Sequence, residues 1–136
     1  MGLISTKYSR AMFQGIMLTH SPKTRDAGIR KLQSIRDGNL DRDDVGLKHV
    51  ALAIAFRKKK MVEQMDRHWR KAIDAGHSTG MAYEGLAISL TKQGRYEEAI
   101  AVCQELIDHP TIPGPGSYLT VEAMHERIAR LRKMIN

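Results

Sequence analysis

The side chains that could carry chemistry are spread along the whole chain. The sequence has 136 residues, with six histidines and a single cysteine, Cys103. Histidines that bind a metal from one helix do so at a fixed spacing, and no pair in this sequence has that spacing with a carboxylate or cysteine beside it. We therefore expect no metal site. The histidines are His20, His49, His68, His77, His109 and His125.

Patterns typical of nucleophilic catalysis are also missing from the sequence. Cys103 falls on the apolar face of a predicted helix, where a cysteine usually packs as a small hydrophobic residue. Serine, histidine and aspartate all occur, but without the glycine pattern that exposes a nucleophilic serine. The sequence thus predicts a protein that is not an enzyme and needs no cofactor. A small enzyme is the last of three hypotheses.

Positive charge is concentrated in the first half of the chain. The formal net charge is +7, and residues 1–40 carry seven basic and two acidic groups. The densest cationic run, residues 57–60, could grip phosphates, or it could be a solvated helix end at which cations favour the helix dipole. An acidic partner should meet this half of the chain. Nucleic-acid binding through this half is the alternative function.

The N-terminal sequence, the length of the apolar stretches and the cysteine content bear on where in the cell the protein is located. The first six residues, Met-Gly-Leu-Ile-Ser-Thr, fit the pattern for myristoylation of Gly2, which stays open. No stretch approaches the roughly 18 apolar residues that span a bilayer, and no secretory signal pattern opens the chain. One cysteine cannot form an internal disulfide, which fits a reducing compartment. We expect a cytoplasmic protein.

The stretches between predicted breaks all have a helical period, and only 5% of the residues are aromatic. A core of Ala, Leu, Ile, Val and Met suits helix packing, so the sequence predicts an all-α fold. Residues 112–116, which contain two prolines and two glycines, are predicted to be a loop. The predicted helices are 5–19, one from Ser21-Pro22 to Gly38, one capped by Asp41 and Asp44, 61–73 with a stop at Gly76, 79–93, 96–108, and one from Thr120 onwards.

An internal repeat is the most informative pattern. Leu52-Ala53-Ile54 recurs as Leu86-Ala87-Ile88, 34 residues later, and Trp69 aligns with Cys103 at the same spacing. A period of 34 residues that contains two helices is the signature of tetratricopeptide repeats. Each helix pair buries part of its apolar surface, and stacking of the pairs buries the rest.

The stretch MAYEGLAISLTKQGRYEEAIAVCQELIDHP, residues 81–110, resembles a tetratricopeptide repeat almost position by position. Tyr83 lies where the family prefers an aromatic residue, and Leu86 with Ala87 matches its Leu-small pair. Gly94 lies in the turn between the helices, and Ala99 matches the small residue at which they touch. This stretch carries most of the resemblance.

Two earlier stretches fit less closely. In residues 47–76, Lys60 replaces the turn glycine and Met65 replaces the small contact residue. In residues 8–38 the match is weaker, and Ser21-Pro22 replaces the turn. The matching residues there are Gly15, Leu18, Ala27 and Ile35.

The resemblance implies an overall architecture. It implies a single domain, residues 1–136, of about three stacked antiparallel helix pairs followed by a C-terminal capping helix. The final helix has an apolar stripe that needs a partner, either the domain itself or a second chain, so a homo-oligomer through this helix is possible. A generic helical bundle is the rival architecture.

The resemblance also implies a binding surface. Tetratricopeptide arrays typically hold a peptide or helix of a partner protein in a concave groove lined by the first helix of each pair. The matching positions here are apolar at one end and basic at the other, which favours an amphipathic helix or an extended acidic segment. The three aliphatic members could equally be plain core. The expected function is a non-enzymatic adaptor or scaffold. The predicted groove residues are Val50, Ile54, Arg57, Lys58, Glu84, Ile88, Thr91 and Lys92.

Overall fold

Helices make up almost all of the described backbone. The computed structural model describes the backbone of residues 2–76, 80–109 and 115–136, and the side chains of 8–76, 80–109 and 121–136. No strand occurs in these ranges, and the all-α class is confirmed. The helices are α1 (Gly2–Thr19), α2 (Arg25–Ser34), α3 (Arg42–Lys58), α4 (Val62–Asp74), α5 (Met81–Lys92), α6 (Tyr96–Asp108) and α7 (Pro115–Ile135), with a 3-10 helix at Asp37–Asn39.

The helices group into two compact units, Met1–Gly76 and His77–Asn136. The first unit contains α1 to α4 with the 3-10 helix, and the second contains α5 to α7. The single domain and the stacking of three tetratricopeptide units stay predictions.

In the first unit, α1 and α2 meet where two glycines allow their backbones to touch. A Cβ atom added to Gly28 would lie 2.6 Å from the carbonyl oxygen of Gly15 and 2.7 Å from the amide nitrogen of Thr19. The contact residue is thus Gly28, while Ala27, which the repeat register placed there, is exposed. The predicted register is therefore shifted by one residue in this helix pair.

The second helix differs from its prediction at both ends. It begins at Arg25 after a turn, and Thr24 Oγ1 donates a 2.6 Å hydrogen bond to the Leu18 carbonyl at the end of α1. That bond satisfies a carbonyl which the end of α1 leaves free, so the turn ties the two helices together. The helix ends at Ser34, since buried Ile35 is extended. Gly38, the predicted end of this helix, therefore lies in the 3-10 helix, and its φ is not left-handed.

The start of α3 confirms the predicted cap. The Asp41 side chain accepts a 2.8 Å hydrogen bond from the Asp44 amide, which satisfies one of the free donors of the first turn. The middle of α3, from Val50 to Phe56, is buried except for Ile54, which is half-buried. This helix packs mainly on α4, whose Trp69 is 1% exposed.

The turns of the hairpins α3–α4 and α5–α6 share one hydrogen-bond pattern at the 34-residue spacing. The Met61 amide donates to the Phe56 carbonyl at 2.9 Å, and the Arg95 amide donates to the Leu90 carbonyl at 2.9 Å. Each turn also has one left-handed residue, Lys60 at φ 61° in the first. This is the pattern in which a left-handed residue after the helix lets later amides cap its last carbonyls.

The left-handed residue of the second turn is Gly94 at φ 75°. Gly94 lies between α5 and α6, where the resemblance placed the turn. Glycine adopts this conformation freely, whereas a side chain adds roughly 1–2 kcal/mol of steric strain. Lys60 occupies the matching position and carries that strain. The turn therefore forms in the first hairpin even without its glycine.

We expect Lys60→Gly to stabilise the first unit. Relief of the strain at φ 61° should raise the free energy of unfolding by about 0.5–1 kcal/mol, after the entropy of the added glycine is subtracted. Urea unfolding followed by the emission of Trp69 measures this change, because it is the only tryptophan in the chain. Lys58→Gly is the control, because Lys58 is exposed and helical. This variant should have a free energy of unfolding about 1 kcal/mol lower than that of the original protein. A loss in both variants would contradict the strain argument.

In the second unit, α7 packs along α6. It begins at Pro115, five residues before the predicted Thr120, because proline is well suited to the first turn of a helix. The predicted loop is therefore wrong at residues 115–116, and residues 112–114 lie outside the described range. The apolar stripe of α7 is buried within the chain at Met124, Ile128 and Leu131. Self-association through this helix stays a prediction.

Candidate functional site

The predicted groove residues of α3 divide into one core residue and three surface residues. Val50 is 5% exposed, so the core interpretation applies to it. Ile54 is half-buried, and Arg57 and Lys58 are exposed at the end of the helix. Residues three and four apart share a helix face. The structure therefore brings Ile54, Arg57 and Lys58 together as a small apolar-basic surface, the α3 surface.

The predicted groove residues of α5 form a second set, the α5 surface. Glu84 and Lys92 are exposed, and Ile88 and Thr91 are half-buried. The Thr91 hydroxyl donates to the Ala87 carbonyl at 2.7 Å, so its hydrogen-bonding capacity is partly used within the helix. A carboxylate in the first turn and an ammonium in the last both suit the helix dipole. A groove that joins the α3 and α5 surfaces stays a prediction.

One of the four cations in the run 57–60, Lys59, forms an ion pair within the protein. Lys59 Nζ donates to the Asp26 carboxylate at 2.5 Å, which ties the end of α3 to α2. This hydrogen bond, with the charge of Lys59, holds the pKa of Asp26 below its ordinary value. Arg57, Lys58 and Lys60 are exposed.

A buried polar cluster in the first unit is the feature that sequence reasoning missed. The Nδ1 atoms of His49 and His68 lie 2.9 Å apart, and both side chains are less than a tenth exposed. His49 Nε2 lies 3.0 Å from both carboxylate oxygens of Asp37. Lys48 Nζ donates to the Ile35 carbonyl at 2.7 Å and forms an ion pair with Asp37. We call these four side chains, Asp37, Lys48, His49 and His68, the histidine cluster.

The hydrogen bonds of the histidine cluster fix the positions of its protons. An ionised carboxylate only accepts, so His49 carries its proton on Nε2 and donates it to Asp37. Its Nδ1 atom is then the acceptor, and His68 Nδ1 is the donor. The His68 ring is also stacked on Phe56, with the ring centroids 5.5 Å apart. The arrangement holds the 3-10 helix, α3 and α4 together.

Burial decides how the members of the cluster ionise. Burial lowers the pKa of His49, although the Asp37 carboxylate opposes it. Burial and the neighbouring His49 lower the pKa of His68 to about 4. For Asp37, burial acts to raise the pKa, but the hydrogen bonds from Lys48 and His49 outweigh it and leave the pKa below its ordinary value. Both imidazoles are therefore neutral at neutral pH.

These values favour a structural role over catalysis. An Asp–His–His chain resembles a proton relay, but an efficient general base has a pKa near the working pH. His68, with a pKa of about 4 and 8% exposure, is a weak and poorly accessible base. Two protonated imidazoles would place two donors 2.9 Å apart. The cluster thus joins elements of the first unit, provided that it stays neutral.

We expect the first unit to lose stability in acid because of this cluster. The unfolded histidines take up protons near pH 6.5, whereas folded His68 does so only near pH 4. The stabilising contribution is therefore complete above about pH 6.5 and lost as the pH falls towards 4, a change of about 2–3 kcal/mol. Urea unfolding followed by Trp69 emission at a series of pH values measures this loss.

His68→Phe should flatten that pH profile, because the ring can still stack on Phe56 but no longer titrates. His20→Phe is the matched control, since His20 is exposed in the same unit. The control should keep the slope of the original protein. An unchanged slope in His68→Phe would mean that other groups cause the acid loss.

The sequence did contain a weak signal for the cluster. His49 directly precedes the apolar stretch of α3, and His68 directly precedes the buried Trp69. Polar side chains inside apolar segments need partners. Their 19-residue separation places them on different helices, so no spacing rule could pair them.

The remaining candidate features are the Cys103 thiol, a metal site and a membrane-spanning helix. Cys103 is buried on α6, and burial raises the pKa of its thiol, which disfavours the reactive thiolate. Within the described ranges, no three His, Cys, Asp or Glu side chains are grouped so that they could hold a metal ion. In the same ranges, no helix is both long enough and apolar enough to cross a membrane.

Comparison with known proteins adds no relative. No family model matches the sequence, and neither a curated protein nor a solved structure matches it.

Proposed function

We propose that the protein is a non-enzymatic protein–protein interaction module of the tetratricopeptide type, an adaptor or scaffold. In this proposal the first helix of each hairpin, α3 and α5, contacts a peptide or helix of a partner protein. A cytoplasmic location is part of the same proposal, and the single, buried Cys103 suits it.

The observation that carries the proposal is the shared turn of the two hairpins. The α3–α4 and α5–α6 turns have matching hydrogen bonds and a left-handed residue at matching positions, 34 residues apart. The first hairpin adopts this turn with Lys60, so the geometry recurs where the glycine does not. A recurring helix pair of this period is the building block of tetratricopeptide arrays.

The chemistry of the α3 and α5 surfaces supports a protein ligand. The α3 surface combines half-buried Ile54 with the exposed cations Arg57 and Lys58 at the helix end. The α5 surface combines half-buried Ile88 with the single exposed cation Lys92. Partly exposed apolar groups beside cations suit an amphipathic segment with acidic residues. The exposed cations should mainly speed the approach of an acidic partner and select it over a basic one.

Affinity capture from a native lysate tests the role of the α3 surface. The original protein is compared with Arg57→Glu/Lys58→Glu and with Arg67→Glu/Lys71→Glu, a matched control that makes the same charge change at exposed residues of α4. We expect a discrete protein that survives moderate salt to be lost at least about tenfold with the first variant and kept with the second. Equal loss in both variants would indicate only non-specific attraction to positive charge.

The same experiment decides on the alternative function. The exposed side chains of Arg57, Lys58 and Lys60 are the observation that favours nucleic acid. Binding through phosphate contacts weakens steeply as salt rises, because condensed counterions are released. Recovery of nucleic acid that disappears at moderate salt, with no protein partner, would replace the proposed function by nucleic-acid binding.

A further inference from the structure

The outer face of α1 exposes two large apolar side chains. Phe13 is 52% exposed and Met17 is 73% exposed, and they lie four residues apart on one helix face. Single exposed apolar residues are normal on protein surfaces, whereas a contiguous exposed apolar patch marks an interaction site. The opposite face of the same helix is buried through Met12 and Gly15.

A shallow, open groove is lined by Met17, and Phe13 lies one helical turn before Met17 on α1. It has a volume of about 420 Å³ and runs between α1 and α2 within the first unit. Met17 and Leu18 supply apolar wall, and Lys31 supplies a charge at the edge. A flexible thioether such as that of Met17 adapts its shape to different apolar partners. We call this groove, with Phe13, the α1 groove. Its lining residues are Gln14, Met17, Leu18, Thr24 and Lys31.

The segment that forms the α1 groove is strongly basic. Between residues 8 and 31 the charged side chains are five cations and one carboxylate, and that carboxylate, Asp26, is already paired with Lys59. An acidic ligand would therefore find complementary charge on both helices. The six side chains are Arg10, Lys23, Arg25, Asp26, Arg30 and Lys31.

We propose that the α1 groove binds an amphipathic helix of a partner protein, with an apolar stripe over Phe13 and Met17 and acidic residues at its flanks. The inference rests on the proposed protein-binding role, but it uses a surface separate from the α3 and α5 surfaces. A second copy of the chain is disfavoured, because the same basic surroundings would repel each other.

A synthetic helical peptide tests the proposal directly. The probe carries leucines at heptad spacing, glutamates at the positions that flank them, alanines elsewhere and a fluorescent label, and its anisotropy is followed on titration with the full chain. Met17→Glu should weaken binding at least about tenfold, because it places a carboxylate on the apolar contact. Met134→Glu is the matched control, because Met134 is 57% exposed on α7, and it should bind as the original protein does. Helix content by circular dichroism confirms that both variants fold.

Other outcomes would overturn the proposal. Equal binding by the two variants would mean that the peptide is attracted only by net charge. Equal binding of an otherwise identical peptide with lysines would exclude charge complementarity. Loss of binding to anionic lipid vesicles in Met17→Glu, without peptide binding, would assign the face to a membrane. Concentration-dependent dimerisation that Met17→Glu abolishes would assign it to a second copy.

The proposed function can fail separately from this inference. Arg57→Glu/Lys58→Glu should keep peptide binding at the α1 groove. Arg57 and Lys58 lie on α3, whereas the groove is formed by α1 and α2. A lysate partner that depends on Arg57 and Lys58, together with no peptide binding, would leave the proposed function and remove the inference. Peptide binding lost in Met17→Glu, with no dependence on Arg57 and Lys58, would do the reverse.

Discussion

Gly28→Ala is expected to destabilise the first unit by about 3 kcal/mol. The new Cβ atom would lie 2.6 Å from the Gly15 carbonyl oxygen and 2.7 Å from the Thr19 amide nitrogen. These are backbone atoms, which cannot rotate away, so α1 and α2 must separate. Separation opens gaps around Met12 and Leu32, both fully buried. The loss exceeds the roughly 1 kcal/mol that alanine normally gains over glycine in a helix.

The neighbouring glycines provide a graded series of controls. Gly15→Ala would place its Cβ 2.8 Å from a side-chain carbon of Leu32, which can shift, so we expect a smaller loss of about 1 kcal/mol. Gly38→Ala meets no atom within 4 Å, and its φ is not left-handed, so it should change little. Urea unfolding followed by Trp69 emission ranks the three variants. A Gly28→Ala protein as stable as Gly38→Ala would refute the close helix contact.

Ala87→Arg is expected to destabilise the second unit by about 4 kcal/mol or more. Ala87 on α5 has none of its surface exposed, and neither does Ala99 on α6. An arginine at such a site needs room that is absent, and its charge would be buried without a partner. Either α5 and α6 must therefore move apart, or the backbone at residue 87 must shift so that the arginine reaches solvent.

An exposed alanine gives the control for the buried one. Ala101→Arg introduces the same side chain on α6, where Ala101 is exposed, and it should change the free energy of unfolding by less than about 0.5 kcal/mol. Thermal and urea unfolding followed by far-ultraviolet circular dichroism compares the two variants. A melting temperature unchanged by Ala87→Arg would show that the 34-residue register is wrong at this position.

Several elements could be predicted from the sequence because their causes are local. Asp41 caps α3 through its own side chain, and the cap needs nothing beyond three residues of chain. Gly76 and Gly94 end their helices in the left-handed conformation that glycine adopts without strain. The bounds of α6, Tyr96–Asp108, also follow from its period and its flanking turns.

The candidate surfaces were only partly predictable. The exposure of Arg57, Lys58 and Lys92 follows from their charge, since such side chains are seldom buried. The burial of Val50 beside the half-buried Ile54 does not follow, because both are aliphatic and lie on one helix face. Which of the two is covered depends on where the neighbouring helices pack.

Only the tertiary structure decided the remaining features. Lys60 adopts a left-handed φ that lysine avoids by itself, because the packing of α3 on α4 favours the turn more than the strain opposes it. The α1–α2 contact is at Gly28 and not Ala27, since the angle between two helices sets which residue faces the other.

The pairing of His49 with His68 was likewise decided by the tertiary structure. Neither has another histidine close to it along the chain, and each is buried only because α3 and α4 pack together. The sequence thus determined the order of the helices, the Asp41 cap and the exposed cations at the ends of α3 and α5, which depend on neighbouring residues along the chain. The contacts between helices, and with them the neutral state of the histidine cluster, depend on residues that meet only after folding.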